Sequence, residues 1–322
     1  MQKPNYICTD WTMLLQRTIK QEINCRNIGL HSGRKVGMTI KPAGVDEGIV
    51  FVRNDLPNKT SIKANFQNVR DTILATTVGI NGATVSTVEH LLSAFCGMGV
   101  DNAVVEVDAP EIPIMDGSAL PFVQLLKDVG TEIQNKCKKL LVIVKPVSVS
   151  DGDGKAMFLP SPEFKITYDI NFAHPKIGRQ TYDMTFSDVA YERDICAART
   201  FGFLKDVEYL QAKGLALGGS LKNAVVLDDQ KVLNKEGLRC DDEFVKHKIL
   251  DAIGDLSLLG MPIIGHFIAY KSGHKLNNLL LKELMAHKEC WKIVNHVDRN
   301  SEENGLMSLR IPSFRVLDTA NA

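Results

Sequence analysis

The sequence carries no surplus of either charge: 38 lysines and arginines stand against 38 aspartates and glutamates. A chain that holds nucleic acid through bulk positive charge is thereby excluded. No run approaches the ~18 consecutive apolar residues of a membrane helix. The opening MQKPNYICTDWTM also lacks the basic head and apolar stretch of a secretory leader. These absences lead us to expect a cytoplasmic protein with no transmembrane segment and no nucleic-acid partner. Cys8, Cys25, Cys96, Cys137, Cys196, Cys240 and Cys290 are scattered and never spaced Cys-x-x-Cys. Neither a disulfide framework nor a cysteine zinc cluster is expected from them. A Walker loop, an HExxH pair and a GxGxxG placed after a strand are all missing, so neither ATP nor a dinucleotide cofactor is called for. What remains is an ordinary globular composition, 322 residues with 44% hydrophobic, long enough for two domains that each bury a core.

Residues 1–12 are polar and unpatterned and read as an N-terminal tail. From residue 13 to 137 short alternating runs (RTIKQEIN, RKVGMTIKPA, GIVFVRND, TTVGI, NAVVEVD) predict strands, with helices in STVEHLLSAFCGMG and SALPFVQLLKDVG. The basic NKCKK reads as a link, and a second domain is expected over 138–297. It opens with LLVIVKPVSVS, continues through KAMFLP, FKITYDINF and QTYDMTF, and closes with helices in DEFVKHKILDAIGDLSLLG and LNNLLLKELMAHKECW. Residues 298–322 are polar and read as a loose tail. Each half contains a histidine-bearing helix, a glycine stop, an apolar strand, a turn-rich loop and a second helix. The expected fold class is therefore α+β, with an internal duplication.

Wound at about 100° per residue, the stretch Phe244 to Gly260 puts His247, Asp251, Gly254 and Asp255 on one arc. Ile249, Ala252, Ile253 and Leu256 take the other. Such an i, i+4 His/Asp pair is either a solvated salt link or a chelating pair, and Gly254 leaves room for something to approach the backbone. The other histidine helix opens Ser86-Thr87-Val88-Glu89-His90. Ser86 and Glu89 fit a capping box; the alternative makes His90 a third ligand, with Glu89 facing an activated water without touching the metal. His274, in the turn-rich SGHKLNN after a strand, is either an exposed loop residue or a catalytic one.

STVEHLLSAF, DNAVVEVDAPEIPIMDGSALPF, RTFGFLKDVEYLQAKGLALGGSLKNAVVLDD, EFVKHKILDAIGDLSLLG and AYKSGHKLNNLLL together closely resemble the LpxC family, the zinc-dependent UDP-3-O-acyl-N-acetylglucosamine deacetylases of lipid A synthesis. The resemblance spans roughly residues 14 to 295. It implies two β-α-α-β layers forming a sandwich with the helices inside and the site between them. It implies Zn2+ held by His90, His247 and Asp251. Glu89 would be the general base, His274 the general acid, Asp255 the carboxylate that orients it, and Thr200 the hydroxyl at the developing oxyanion. Lys248 and Lys271 would face the sugar and phosphate portion, and Phe172 the nucleotide. An extra glycine before Lys155 departs from the family pattern, and Lys155 is assigned no role.

Residues 200–228 read as a βαβ insert with more apolar residues than so small a unit can bury. The resemblance implies a passage there for the substrate's acyl chain, lined by Phe201, Leu204, Val207, Ala216, Gly219 and Val226. The partner expected is the small molecule UDP-3-O-acyl-GlcNAc, acted on by a monomer. The competing expectation is a noncatalytic sensor of nucleotide-sugar or metal on the same fold.

Overall fold

The computed structural model describes residues 15–294 together with 309, 310, 312, 314 and 315; the expected tail 1–12 lies outside the described residues. The architecture is α+β. In the N-terminal half β1 (Leu15–Ile19) pairs with β10 (Thr131–Cys137). A five-stranded sheet runs β2 (Ile23–Ile28), β3 (Lys35–Pro42), β9 (Ala103–Val107), β4 (Ile49–Arg53), β5 (Thr60–Lys63). A three-stranded sheet follows from β6 (Val69–Asp71), β7 (Thr77–Ile80) and β8 (Ala83–Val85). Two helices accompany them, α1 (Glu89–Gly97) and α2 (Leu120–Val129).

In the C-terminal half a seven-stranded sheet is built around β18 (Ile263–Tyr270). On one side of it lies β13 (Gly154–Leu159), which pairs onward with β12 (Val147–Asp151). On the other lie β11 (Leu140–Ile143) and β14 (Phe164–Phe172), both parallel to β18, extended by β19 (Trp291–Val294) and β15 (Gly178–Thr185) respectively. A short turn of helix, α3 (Asp188–Ala190), leads toward the insert. The segment that follows is built of β16 (Phe201–Phe203), α4 (Leu204–Ala212) and β17 (Val225–Leu227), its two strands parallel. The half is completed by α5 (Glu243–Ser257) and α6 (His274–Ala286).

Helices α1 and α5 pack on each other, and α5 and α6 also lie against strands of the seven-stranded sheet. The sequence accounts for this. In α5 Ile249, Leu250, Ala252, Ile253 and Leu256 are all buried, and so are the polar His247, Asp251 and Asp255. A helix buried all round lies between layers rather than on a surface, and its polar arc must find partners inside. The order helix–strand–helix recurs, as α1–β9–α2 and α5–β18–α6.

Four local expectations change. NKCKK is not a bare link: Asn135 to Cys137 end β10, whose partner β1 supplies the hydrogen bonds that a polar pattern does not advertise. LLVIVKPVSVS is two strands broken at Pro146. The capping box is absent, because α1 begins at Glu89 and the Ser86 hydroxyl accepts instead from Thr77 (2.8 Å). The tail after residue 298 is not loose where it is described: Phe314 is 8% exposed, with Phe186 of the C-terminal half 6.4 Å away between ring centroids. Arg17 on β1 donates to the carbonyls of Phe314 and Arg315 (2.8 Å each), while Arg315 pairs with Asp188 and Glu192.

Candidate metal centre and active site

The site forms where the start of α1 meets the middle of α5. Gly254 makes the contact possible: a Cβ there would lie 2.0 Å from the carbonyl oxygen of Glu89, so only glycine lets the helices close to this distance. The approach that the sequence left open at Gly254 is thus that of the partner helix.

One ligand-bearing atom each of His90, His247 and Asp251 lies within 4.8 Å of the others, and all three residues are buried. The imidazoles stand nearly perpendicular, 85° apart in plane, with centroids 5.0 Å apart. Nε2 of His90 and Nε2 of His247 approach Asp251 Oδ1 at 3.4 and 3.3 Å. Yet that buried oxygen has no hydrogen-bond partner among the described residues. His247 explains why a cation fits. Its Nδ1–H donates to the Ala198 carbonyl (3.1 Å), which leaves Nε2 a bare lone pair. Burial, with His90 and Lys248 nearby, pushes its pKa down to about 4, so the ring is neutral near pH 7. A lone pair facing a carboxylate lone pair in the interior is unfavourable unless a cation sits between them. Burial alone would raise the Asp251 carboxyl, but His247, Lys248 and His90 hold it well below the usual range. Its second oxygen, Oδ2, accepts from Lys248 Nζ at 2.8 Å. Two nitrogens and one carboxylate oxygen are a donor set suited to zinc.

Beside this triad lies a second group. Glu89 is buried, and burial raises its pKa against the pull of His274 and His90. Glu89 Oε2 accepts from the Thr76 amide at 3.0 Å, and Oε1 stands 3.9 Å from His274 Nε2. His274 is not in a loop; it is the first residue of α6 and is 9% exposed. Its Nδ1–H donates to Asp255 Oδ2 at 2.8 Å. Burial by itself would lower the His274 pKa, but Asp255, Glu89 and Asp251 together raise it to about 9. Asp255 is fully engaged: Oδ1 accepts from the Thr76 hydroxyl (2.6 Å) and Oδ2 also from Asn277 (2.9 Å). The group therefore sets carboxylates beside an imidazolium, next to the residues that could hold a metal ion.

The structure brings His90, His247, Asp251, Lys248, Glu89, His274 and Asp255 together. Thr200 sits at the junction of the halves, its amide donating to the Gly117 carbonyl and its carbonyl accepting from Val225, both at 2.7 Å. The Phe201 ring lies 6.2 Å from that of His247 and 5.5 Å from that of Phe172. Lys271 is paired with Asp153 at 2.5 Å. Of the insert residues, Leu204 is 49% exposed and α4 buries none of its side chains, while Val226 lies on the parallel strand pair. Gly219 and Ala216 are neighbours across the turn, where the amides of Leu217 and Gly218 donate to the carbonyls of His31 and Leu30 (3.1 and 3.0 Å).

Thr76, Asn277 and Ala198 were missed by sequence reasoning. Asn277 follows His274 by three residues and would have shown itself as a helical neighbour had the helix been started at His274. Thr76 and the Ala198 carbonyl act partly or wholly through backbone groups, which leave no pattern in side-chain identity.

Comparison with known proteins identifies the family. Residues 16–286 match the family described as LpxC, UDP-3-O-acyl N-acetylglycosamine deacetylase. A UDP-3-O-acyl-N-acetylglucosamine deacetylase of Syntrophus aciditrophicus is 60% identical over 317 residues, covering 96% of this chain and all of that protein. Proteins of the same name from Pasteurella multocida and Histophilus somni are 52% and 51% identical, covering 91% and 92% of the chain and 97% and 98% of their own lengths. With the family matched over most of its length and its relatives aligned nearly end to end, the chain belongs to the LpxC family of deacetylases.

Proposed function

We propose that the chain binds one zinc ion through His90, His247 and Asp251 and removes the N-acetyl group of UDP-3-O-acyl-GlcNAc. The products are acetate and UDP-3-O-acyl-glucosamine, on the route to lipid A. The protein works in the cytoplasm as a monomer, with residues 13–137 and 138–297 as its two units. The observation that carries the reading is the pairing of an unsatisfied His/His/Asp donor set with the Glu89–His274–Asp255 group beside it. A sensor would need the donors alone.

When bound, the ion supplies Lewis acidity, which brings a water's pKa to roughly 7. Glu89 takes the proton of the attacking water, as a carboxylate with one oxygen tied to Thr76 and the other free. Thr200 donates its hydroxyl to the oxygen on which charge develops. His274, kept protonated by Asp255, gives its proton to the departing amine. Lys248 and Lys271 serve the sugar and phosphate portion, and Phe172 the nucleotide. Phe201, Leu204, Val207, Ala216, Gly219 and Val226 line the acyl passage. The apolar exposure of Leu204, and of Leu217 at 50%, supports that last assignment, since each methylene seated there is worth about 0.8 kcal/mol.

The test is metal analysis of the purified chain together with acetate release from UDP-3-O-acyl-GlcNAc. One zinc per chain and one acetate per substrate consumed are expected. A metal-replete protein that releases no acetate overturns the reading.

A further inference from the structure

Glu111 is a buried carboxylate, 1% exposed, that the chemistry above does not use. Every group bonded to it is a donor. Oε1 accepts from the His31 amide (2.8 Å) and the Thr87 hydroxyl (3.1 Å), and Oε2 from the Ser32 amide (2.9 Å). Gly29 leaves the space, since a Cβ there would lie 2.3 Å from Oε2. The backbone of Glu111 also forms a parallel bridge with Ser86, and the Ile112 amide donates to the Ser86 carbonyl at 3.0 Å.

These partners belong to two places that matter. The peptide groups of residues 30–32 face both ways. Their amides run inward to Glu111, while the carbonyls of Leu30 and His31 receive the amides of Gly218 and Leu217 in the insert. On the other side Thr87, a β-branched residue at φ +57°, is two positions from Glu89. A β-branched side chain in the left-handed region is strained and persists only where its surroundings hold it. The hydrogen bond to Glu111 is such a hold, and it sets the entry of the chain into α1 and so the place of the Glu89 carboxylate.

We infer that Glu111 is a positioning residue that couples the turn at residues 215–219, which seats the acyl chain, to the placement of the base Glu89, so that an acylated substrate is turned over in preference to a non-acylated one. The inference rests on the deacetylase reading. Misplacing a reacting group by an ångström costs up to about a hundredfold in rate, so a coupling of this kind is large enough to measure.

The experiment compares UDP-3-O-acyl-GlcNAc with UDP-GlcNAc as substrates of the zinc-loaded full chain. In Glu111→Gln the amide NH2 meets a donor where the carboxylate accepted, and one arm is lost. We expect kcat for the acylated substrate to fall about tenfold or more, and the acyl preference in kcat/KM to fall about tenfold, with zinc content unchanged. Thr87→Val cuts only the arm to Glu89. It should lower kcat about tenfold with the KM of the acylated substrate and the acyl preference retained, and Thr87→Ser should restore the rate. If both variants keep wild-type kcat per folded molecule and wild-type acyl preference, losing only melting temperature, Glu111 is structural and the inference is overturned. Should Glu111→Gln not fold, the Thr87 pair decides: a wild-type kcat in Thr87→Val overturns it. A wild-type protein that releases no acetate refutes the deacetylase reading instead.

Discussion

The two oxygens of Asp251 have different neighbours: Oδ2 accepts from Lys248, while Oδ1 meets two imidazole nitrogens without a hydrogen bond. Removing either imidazole leaves too few donors, so His247→Ala should lose zinc and acetate release together, read by metal analysis and assay on the same sample. Glu89→Gln should behave differently, because Glu89 stands outside the donor set: full zinc with a rate lower by about 10²–10⁴-fold. The pH profile follows from His274. In the proposed role of general acid His274 must carry its proton, and its pKa is raised to about 9, so kcat/KM should fall as pH rises through about 9. Asp255→Asn removes the strongest raising influence, and the basic limb should move to lower pH. The same shift is linked to stability: its contribution is whole below the ordinary value of 6.5 and is lost as pH climbs through about 9. An Asp255→Asn profile with its basic limb unmoved would assign that limb to another group.

At the scale of elements, the contact of α1 with α5 rests on Gly254. Gly254→Ala should push the helices apart at Glu89, costing about 1–3 kcal/mol in a denaturant titration and lowering turnover beyond what the loss of folded protein explains. In the insert, Ala216 already sits at φ +54°, and Ala216→Leu should shift preference toward shorter acyl chains while zinc content stays at one per chain. Helices α1 and α5 were legible, since the apolar arc of α5 and the paired Glu89-His90 are written in side-chain spacing. The missing parts share a cause. β10 is defined by its pairing with β1, the start of α6 by where backbone folds at Gly273, and the hold on Thr87 by a carboxylate 24 residues away. None of these leaves a periodic mark nearby.

At the scale of the whole molecule, the C-terminal segment joins the two halves on the face where Arg17 meets Phe314. The Phe314 ring lies over Gly99, with the ammonium of Lys138 5.1 Å from its centroid, and Lys138 in turn pairs with Asp101. Phe314→Ala empties a nearly buried aromatic position and should cost about 3 kcal/mol of stability by urea titration. Zinc content should not change, because Phe314 is not among the residues that could hold the metal.

The Thr76 hydroxyl bonds to Asp255 across 179 residues of chain, and His90 is separated from His247 and Asp251 by a similar length. During synthesis at about 5–20 residues per second, roughly 10–35 s pass between the making of Thr76 and the making of Asp255. For most of that interval Glu89 has only its local partner, the Thr76 amide, and His90 stands without His247 and Asp251. On the proposed ligand set, metal capture should therefore be a late event, one that waits for α5 to leave the ribosome and dock. The ion that completes the enzyme would then also certify that both halves have been made and joined.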